Sequence, residues 1–304
     1  MAPPRIAVAP EGAPAWVAGA VAAGGGEVVG PADAEALVWL GGPDAAAFTS
    51  ALDASPDARW VQLPWAGVEP YAHLLGRDRT WTCGKGVYAE PVAEHALALA
   101  LAGLRMLPDR ASATSWGTHG GRTLFGAKVS VLGGGGICEA LLALLEPFRC
   151  EVTVVRRHPT PMPGATHVVG PDDLHLALPG AAVVFVALAL TPETEGVIDR
   201  HALELLDDDA WLVNVGRGRH VVTDDLVEAL AAGRIGGAAL DVTDPEPLPD
   251  GHPLWAEPRC LVTPHTANTP AMARPHLEAR ITENVRRFAA GEPLVGLVDV
   301  DLGY

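Results

Sequence analysis

Val129-Ser130-Val131-Leu132-Gly133-Gly134-Gly135-Gly136-Ile137-Cys138 is the stretch of this 304-residue chain on which its fold turns. Its β-branched and apolar start predicts a strand that runs through a glycine turn into a helix. In a dinucleotide-binding turn the first glycine allows the tight bend and the second lets backbone approach a pyrophosphate. The third permits close packing of helix on strand. Gly133 and Gly135 fill the first two places; Cys138, small but not glycine, holds the third. Gly133, Gly135, Gly136 and Ile137 are therefore the candidate pyrophosphate-binding positions.

The strand that follows ends Val154-Val155-Arg156-Arg157. It lies about 18 residues beyond Cys138, close to where an NAD site keeps an acidic residue against the ribose 2′-hydroxyl. A carboxylate there would repel a 2′-phosphate, whereas a guanidinium binds one through paired, charge-assisted hydrogen bonds. Arg156 and Arg157 thus predict NADP(H) in preference to NAD(H).

Outward from this turn the chain reads as two α/β series. Short apolar runs at 5–9, 36–40, 60–63 and 81–83 form the first, with Ala-rich helical stretches between them. Runs at 128–132, 151–156, 183–188, 211–215, 237–241 and 260–263 form the second, with helices at 140–145 and 224–232 among those between them. A long apolar helix at 91–107, opened near Pro91 and closed before Pro108, lies between the series and should be buried. A final amphipathic helix at 270–291 should return to the first domain. Such alternation predicts an α/β fold with mostly parallel strands, a substrate domain interrupted by a dinucleotide domain. The boundaries are set at 1–94 with 272–304, and 95–271.

Composition narrows the function classes. The chain is 49 % apolar and 19 % charged, which is globular. No apolar run reaches the roughly 18–20 residues needed to cross a bilayer, and the N-terminus lacks a signal-peptide core, so a cytoplasmic enzyme is expected. A net charge of −16 argues against nucleic acid and anionic membranes as partners. Cys83, Cys138, Cys150 and Cys260 show no metal spacing and are expected as buried, reduced thiols. Asp207-Asp208-Asp209 and Asp224-Asp225 are expected at helix starts rather than on a metal. His95, His119, His158 and His252 are expected to be ordinary structural histidines.

Three segments in the second half put ionisable groups at predicted strand ends: Asn214-Val215-Gly216-Arg217-Gly218, then Asp241 through Glu246 to Pro249, then Thr263-Pro264-His265. The carboxyl ends of strands in an open parallel sheet line the ligand crevice, so Arg217, Glu246 and His265 can converge. Together with Leu190-Thr191-Pro192-Glu193-Thr194, Pro91-Val92-Ala93-Glu94-His95 and Gln62-Leu63-Pro64-Trp65-Ala66-Gly67-Val68, these segments closely resemble the D-isomer-specific 2-hydroxyacid dehydrogenases, of the glyoxylate/hydroxypyruvate reductase kind. The resemblance runs from about residue 60 to about residue 276.

It implies two Rossmann-like, doubly wound parallel-sheet domains, the substrate domain flavodoxin-like. It implies that Arg217 holds the carboxylate of a small 2-oxo acid and polarises its carbonyl, and that His265 is the proton donor in reduction, with Glu246 its partner. Asp241, Val215 and His265 would line the nicotinamide side of the cofactor, and the backbone of Ala66 and Gly67 would receive the substrate carboxylate. Trp65, Tyr88 and Trp255 are equally placed for pocket or core. Relatives are two-fold dimers, which implies a homodimer, with residues 111–124 as an arm that would bury Trp116.

The chemistry suits these residue types. Hydride arriving at a carbonyl carbon builds an alkoxide, which needs a proton donor with a pKa near neutrality. Histidine supplies it, and a neighbouring carboxylate favours its charged form and orients the ring. Guanidinium stays charged and grips a planar carboxylate with two bonds. Two alternatives stand beside this reading: an NAD-dependent phosphoglycerate-type oxidation, disfavoured by Arg156, and a catalytically idle dinucleotide sensor on the same fold, disfavoured by the intact Arg217, Glu246 and His265.

Overall fold

The computed structural model describes residues 2–117 and 119–303. The chain divides into two units, residues 1–88 with 269–304, and residues 89–268. The break before Ala89 coincides with the start of a helix, Ala89–Leu104, which a boundary after residue 94 would cut.

The first unit holds β1 (Arg5–Ala9), β2 (Glu27–Val28), β3 (Ala36–Trp39), β4 (Trp60–Gln62) and β5 (Thr80–Thr82), all parallel in the order β2-β1-β3-β4-β5. That order is flavodoxin-like. The central strands β3 and β4 are buried on both faces, which is why they read as apolar runs without alternation. On one side Phe48 packs between Trp39 and Tyr71, at centroid distances of 5.2 and 4.6 Å, and the Trp39 indole N–H donates to the Tyr71 hydroxyl at 3.0 Å. The last helix, Pro270–Ala290, is capped by the Thr269 hydroxyl and ends at Gly291, whose φ of 67° suits glycine. It packs on the helix Ala15–Ala23 of the same unit. Its buried Asn284 gives one amide hydrogen bond to Gln62 Oε1 (2.8 Å) and another to the Val295 carbonyl (2.9 Å), and accepts from the Val295 N–H (2.8 Å).

The second unit holds β6 (Lys128–Leu132), β7 (Glu151–Val155), β8 (His167–Val169), β9 (Val183–Val186), β10 (Trp211–Asn214), β11 (Gly237–Leu240) and β12 (Cys260–Val262). They form one parallel sheet in the order β12-β11-β10-β9-β6-β7-β8. The strand order reverses between β6 and β9, the switch point beside which ligands bind in such sheets. The glycine turn leaves β6 there. The helix Ala89–Leu104 packs on the helix Gly136–Leu145 and against β10 and β11.

Several expectations need correction. The helix expected at 91–107 is two helices, Ala89–Leu104 and Leu107–Ser112, because Met106 takes a left-handed conformation (φ 53°) and breaks the run. The helix expected at 140–145 starts at Gly136, since packing on the helix Ala89–Leu104 outweighs the poor helix propensity of glycine. Strands β2 and β8 were not expected: two and three residues are too few to show a period. Asp224 and Asp225 do open a helix, but Asp207, Asp208 and Asp209 follow the helix Arg200–Glu204 and lead into β10. Cys83 and Cys138 are buried; Cys150 and Cys260 are only partly so. Among the described residues no helix is long and apolar enough to cross a membrane.

Replacing Asn284 by Leu should destabilise the first unit by about 1–3 kcal/mol, because it strands the part-buried N–H and C=O of Val295 and takes a donor from the buried Gln62. Urea unfolding followed by tryptophan fluorescence checks this; an unchanged midpoint would show that the amide is dispensable.

Candidate active site

The carboxyl ends of β9, β10, β11 and β12 are neighbours, and the segments leaving them meet. His265, three residues past β12, places its Nδ1 2.7 Å from Glu246 Oε1. The other ring nitrogen, Nε2, makes no hydrogen bond among the described residues, and the side chain is half exposed. The hydrogen bond to Glu246 raises the His265 pKa against the opposing effect of burial, and the same bond lowers that of Glu246. The Arg217 charge is felt at both groups, lowering each. Arginine, carboxylate and imidazole, distant in sequence, thus share one end of the sheet.

Two glycines allow this approach. A Cβ on Gly218 would fall 1.9 Å from the Thr243 carbonyl oxygen and 2.6 Å from the Asp244 nitrogen, so the Arg217 turn lies directly on the chain that leads to Glu246. A Cβ on Gly216 would fall 3.0 Å from the ring of His220 and 3.2 Å from the Leu188 carbonyl oxygen. Asn214, at the end of β10, accepts from the Gly216 N–H at 3.0 Å and donates to the Arg217 carbonyl at 2.8 Å. Val215 is buried, its N–H donated to the Val186 carbonyl at 3.1 Å.

Asp241 sits at the centre. Oδ1 accepts from the Thr263 hydroxyl (2.6 Å) and the Thr266 N–H (2.9 Å), and Oδ2 from the Ala267 N–H (3.0 Å). Its carbonyl accepts from the His265 N–H at 2.8 Å. Burial pushes the Asp241 pKa up, but bonds from His95, Thr263, Ala267 and Thr266 outweigh it and hold the carboxyl at about 2. His265 has φ 51°, a left-handed conformation costing a non-glycine residue about 1–2 kcal/mol. The bonds to Asp241 on both sides hold it there. His95 lies with Nε2 3.1 Å from Thr263 Oγ1 and 3.4 Å from Asp241 Oδ1, so it belongs to this cluster rather than to ordinary packing. The only signal for it in the sequence was its place at the end of the Pro91–His95 motif.

At the glycine turn, Gly133 has φ 115°, and a Cβ on it would meet the Ala187 carbonyl oxygen at 2.4 Å. Glycine is obligatory there on both counts. Gly135 precedes the helix Gly136–Leu145, has no side-chain cap, and has nothing within 4 Å of a Cβ position. An open, uncapped helix start whose first N–H groups lack helical acceptors fits a pyrophosphate. Cys138 is fully buried within that helix, so the third position accommodates a thiol. Arg156 lies across the turn: a Cβ on Gly134 would meet its Cδ and Nε at 2.8 Å. Arg157 points towards Glu193 at 4.0 Å.

In the first unit, three successive carbonyls are held. Pro64 accepts from the Tyr88 hydroxyl, Trp65 from the Gly84 N–H at 2.8 Å, and Ala66 from the Cys83 thiol at 3.5 Å. The N–H groups of Ala66 and Gly67 have no acceptor among the described residues. Tyr88 is buried, whereas Trp65 and Trp255 are exposed.

The model of the D-isomer specific 2-hydroxyacid dehydrogenase NAD-binding domain matches residues 95–267. An uncharacterised protein of Corynebacterium melassecola, from the proB 3′ region, is 37 % identical over 83 % of this chain and 86 % of its own length. Glyoxylate/hydroxypyruvate reductase A of Escherichia fergusonii is 41 % identical over 56 % of this chain and 53 % of its own. The crystal structure of a D-isomer specific 2-hydroxyacid dehydrogenase from Xanthobacter autotrophicus Py2, in complex with NADPH and MES, superposes with a TM-score of 0.86 at 29 % identity and covers 100 % of both chains. The chain belongs to the D-isomer specific 2-hydroxyacid dehydrogenase family, NAD(P)-dependent oxidoreductases that act on CH–OH groups.

Proposed function

We propose that this enzyme works as an NADPH-dependent reductase of small 2-oxo acids, of which glyoxylate and hydroxypyruvate are the first candidates. The His265–Glu246 pair at 2.7 Å, within the field of Arg217, carries the reading. When bound, the reduced nicotinamide supplies the hydride. Arg217 binds the substrate carboxylate with its fork and polarises the carbonyl. His265 donates its proton from Nε2 to the forming alkoxide, and Glu246 keeps the ring charged and aimed. Asp241 acts chiefly through the 263–267 segment, holding His265 in its strained conformation. Gly133, Gly135, Gly136 and Ile137 receive the pyrophosphate, Val215 backs the nicotinamide, and Ala66 and Gly67 offer N–H groups to a carboxylate.

NADPH preference rests on Arg156, whose stem lies on Gly134, with Arg157 beside it. The name of the Escherichia fergusonii relative supports the substrate class, and the NADPH bound to the Xanthobacter autotrophicus protein supports the cofactor. We further read the exposed Leu107, Phe125 and Trp116, the last 91 % exposed, as surface covered by a second copy. Light scattering should then give twice the chain mass; a monomer at micromolar concentration would refute the dimer. The same reading puts the enzyme in the cytoplasm, which cell fractionation tests.

A panel of 2-oxo acids with NADPH and NADH, followed by reduced-nicotinamide absorbance, tests the function. Cofactor binding without turnover on any member would favour the idle sensor. His265→Gln should lower kcat by about 10²-fold or more; wild-type turnover in that variant would remove the imidazole from the chemistry.

The pH dependence has a definite sign. Reduction needs charged His265, whose pKa is raised above the ordinary histidine value, so kcat/KM falls as pH rises through that raised value. In Glu246→Gln the support for the charge is gone and the basic limb moves to lower pH. An unmoved limb would assign the titration to another group.

Arg156→Ala should raise KM for NADPH by about 10–100-fold, the scale of a lost charged hydrogen-bonded pair, and leave KM for NADH nearly unchanged. Loss confined to NADH would reverse the cofactor assignment.

A further inference from the structure

The turn that carries Arg217 is closed by a histidine that none of the chemistry above uses. His220 ends the short helical turn Gly218–His220 and is completely buried. Its Nδ1 lies 3.0 Å from the Arg217 peptide nitrogen. A peptide N–H only donates, so Nδ1 is the bare, accepting nitrogen. Nε2 lies 3.3 Å from the Ala189 carbonyl oxygen, which only accepts, so Nε2 carries the ring proton. The bonds therefore select the neutral, Nε2-protonated ring. A proton on Nδ1 and the bond from Arg217 exclude each other.

The ring joins two loops at the carboxyl end of the sheet. On one side is the Arg217 turn; on the other is the segment that leaves β9, where the Ala189 carbonyl also accepts from the Thr194 hydroxyl at 2.7 Å. Gly216 makes room for the ring, since a Cβ there would sit 3.0 Å from Nδ1 and 3.1 Å from Cε1. Side chains hold both peptide groups of Arg217, the N–H by His220 and the C=O by Asn214 at 2.8 Å. The guanidinium itself donates to the Gly216 carbonyl at 2.8 Å, so its direction follows the backbone of this turn.

We infer that His220 is a positioning residue for substrate binding: its neutral imidazole fixes the Arg217 backbone, and through it the fork that grips the carboxylate of the 2-oxo acid. The inference rests on the role proposed for Arg217. Its two ring bonds are not equivalent. The Ala189 carbonyl also accepts from Thr194, whereas the Nδ1 bond holds the backbone of the turn that carries the fork, so the Nδ1 bond matters more.

Three variants separate acceptor from filler. His220→Asn can keep an acceptor oxygen near Nδ1, His220→Gln can keep only the donor towards Ala189, and His220→Leu fills the volume without polar atoms. With glyoxylate and NADPH, the Gln and Leu variants should lose about 10–100-fold in kcat/KM, the scale of a misplaced substrate-orienting group. Most of the loss should fall in KM for glyoxylate. KM for NADPH should stay within about twofold, and the Asn variant should recover most of the wild-type value. If the Leu variant does not fold, the two amide variants decide the matter alone. Equal activity in Gln and wild type, or an Asn variant as impaired as Gln, overturns the inference. Nitrogen-15 NMR of the His220 ring gives a readout independent of turnover: a proton on Nδ1 at neutral pH also overturns it. Wild-type enzyme idle on every 2-oxo acid overturns this inference together with the proposed function, whereas active wild type with unaffected variants overturns this one alone.

Discussion

The buried carboxylate of Asp241 is the group on which the carboxyl end of the second unit's sheet closes. One ionised side chain at the end of β11 accepts from the Thr263 hydroxyl and from two successive N–H groups past His265. A carboxylate out of water is tolerated only where its lone pairs are met by donors, and here several converge. The result is a rigid collar around His265, a residue whose backbone would otherwise relax out of its left-handed conformation. Since its folded pKa is depressed to about 2, the stabilisation from Asp241 is present above the ordinary aspartate value and is lost only as pH falls towards that depressed value. His265 can therefore titrate over its own range while the group that holds it stays charged.

Close approach of backbones is the second constraint, and the glycines show where it acts. Gly218 lies against the Thr243–Asp244 peptide, Gly216 against an imidazole, and Gly133 against the Ala187 carbonyl. Each removes a side chain so that segments leaving adjacent strands can touch. Rigidity at the site thus comes from main chain packed on main chain, cross-braced by Asn214, His220 and Asp241. A site of this kind keeps its geometry when the half-exposed groups exchange protons or meet ligands.

Much of this was legible in the residues. Apolar runs at 128–132, 183–188 and 211–215 located strands to within a few residues, because strands buried on both faces of a parallel sheet must be apolar throughout. The glycine turn and the segments around Arg217, Glu246 and His265 were legible because chemistry at strand ends leaves residue types that packing alone would not select. The break at Met106 was not legible: nothing in its side chain demands a left-handed turn, and the chain bends there for tertiary reasons. The short strands β2 and β8 escaped for want of length. His95 and His220 escaped because a histidine within an apolar helix or at the end of a short turn shows no role until its partners are known.

The sequence by itself determined the two α/β series, the glycine turn at the switch point and the residue types fit for hydride-transfer chemistry, because each depends on local periodicity or on a short motif. Tertiary structure alone decided which side chains meet. The pairing of His265 with Glu246, the hold of Asp241 on the segment past β12 and the bridge made by His220 all depend on strand order. Strand order depends on how crossover connections place distant strands side by side, and no local pattern encodes that adjacency.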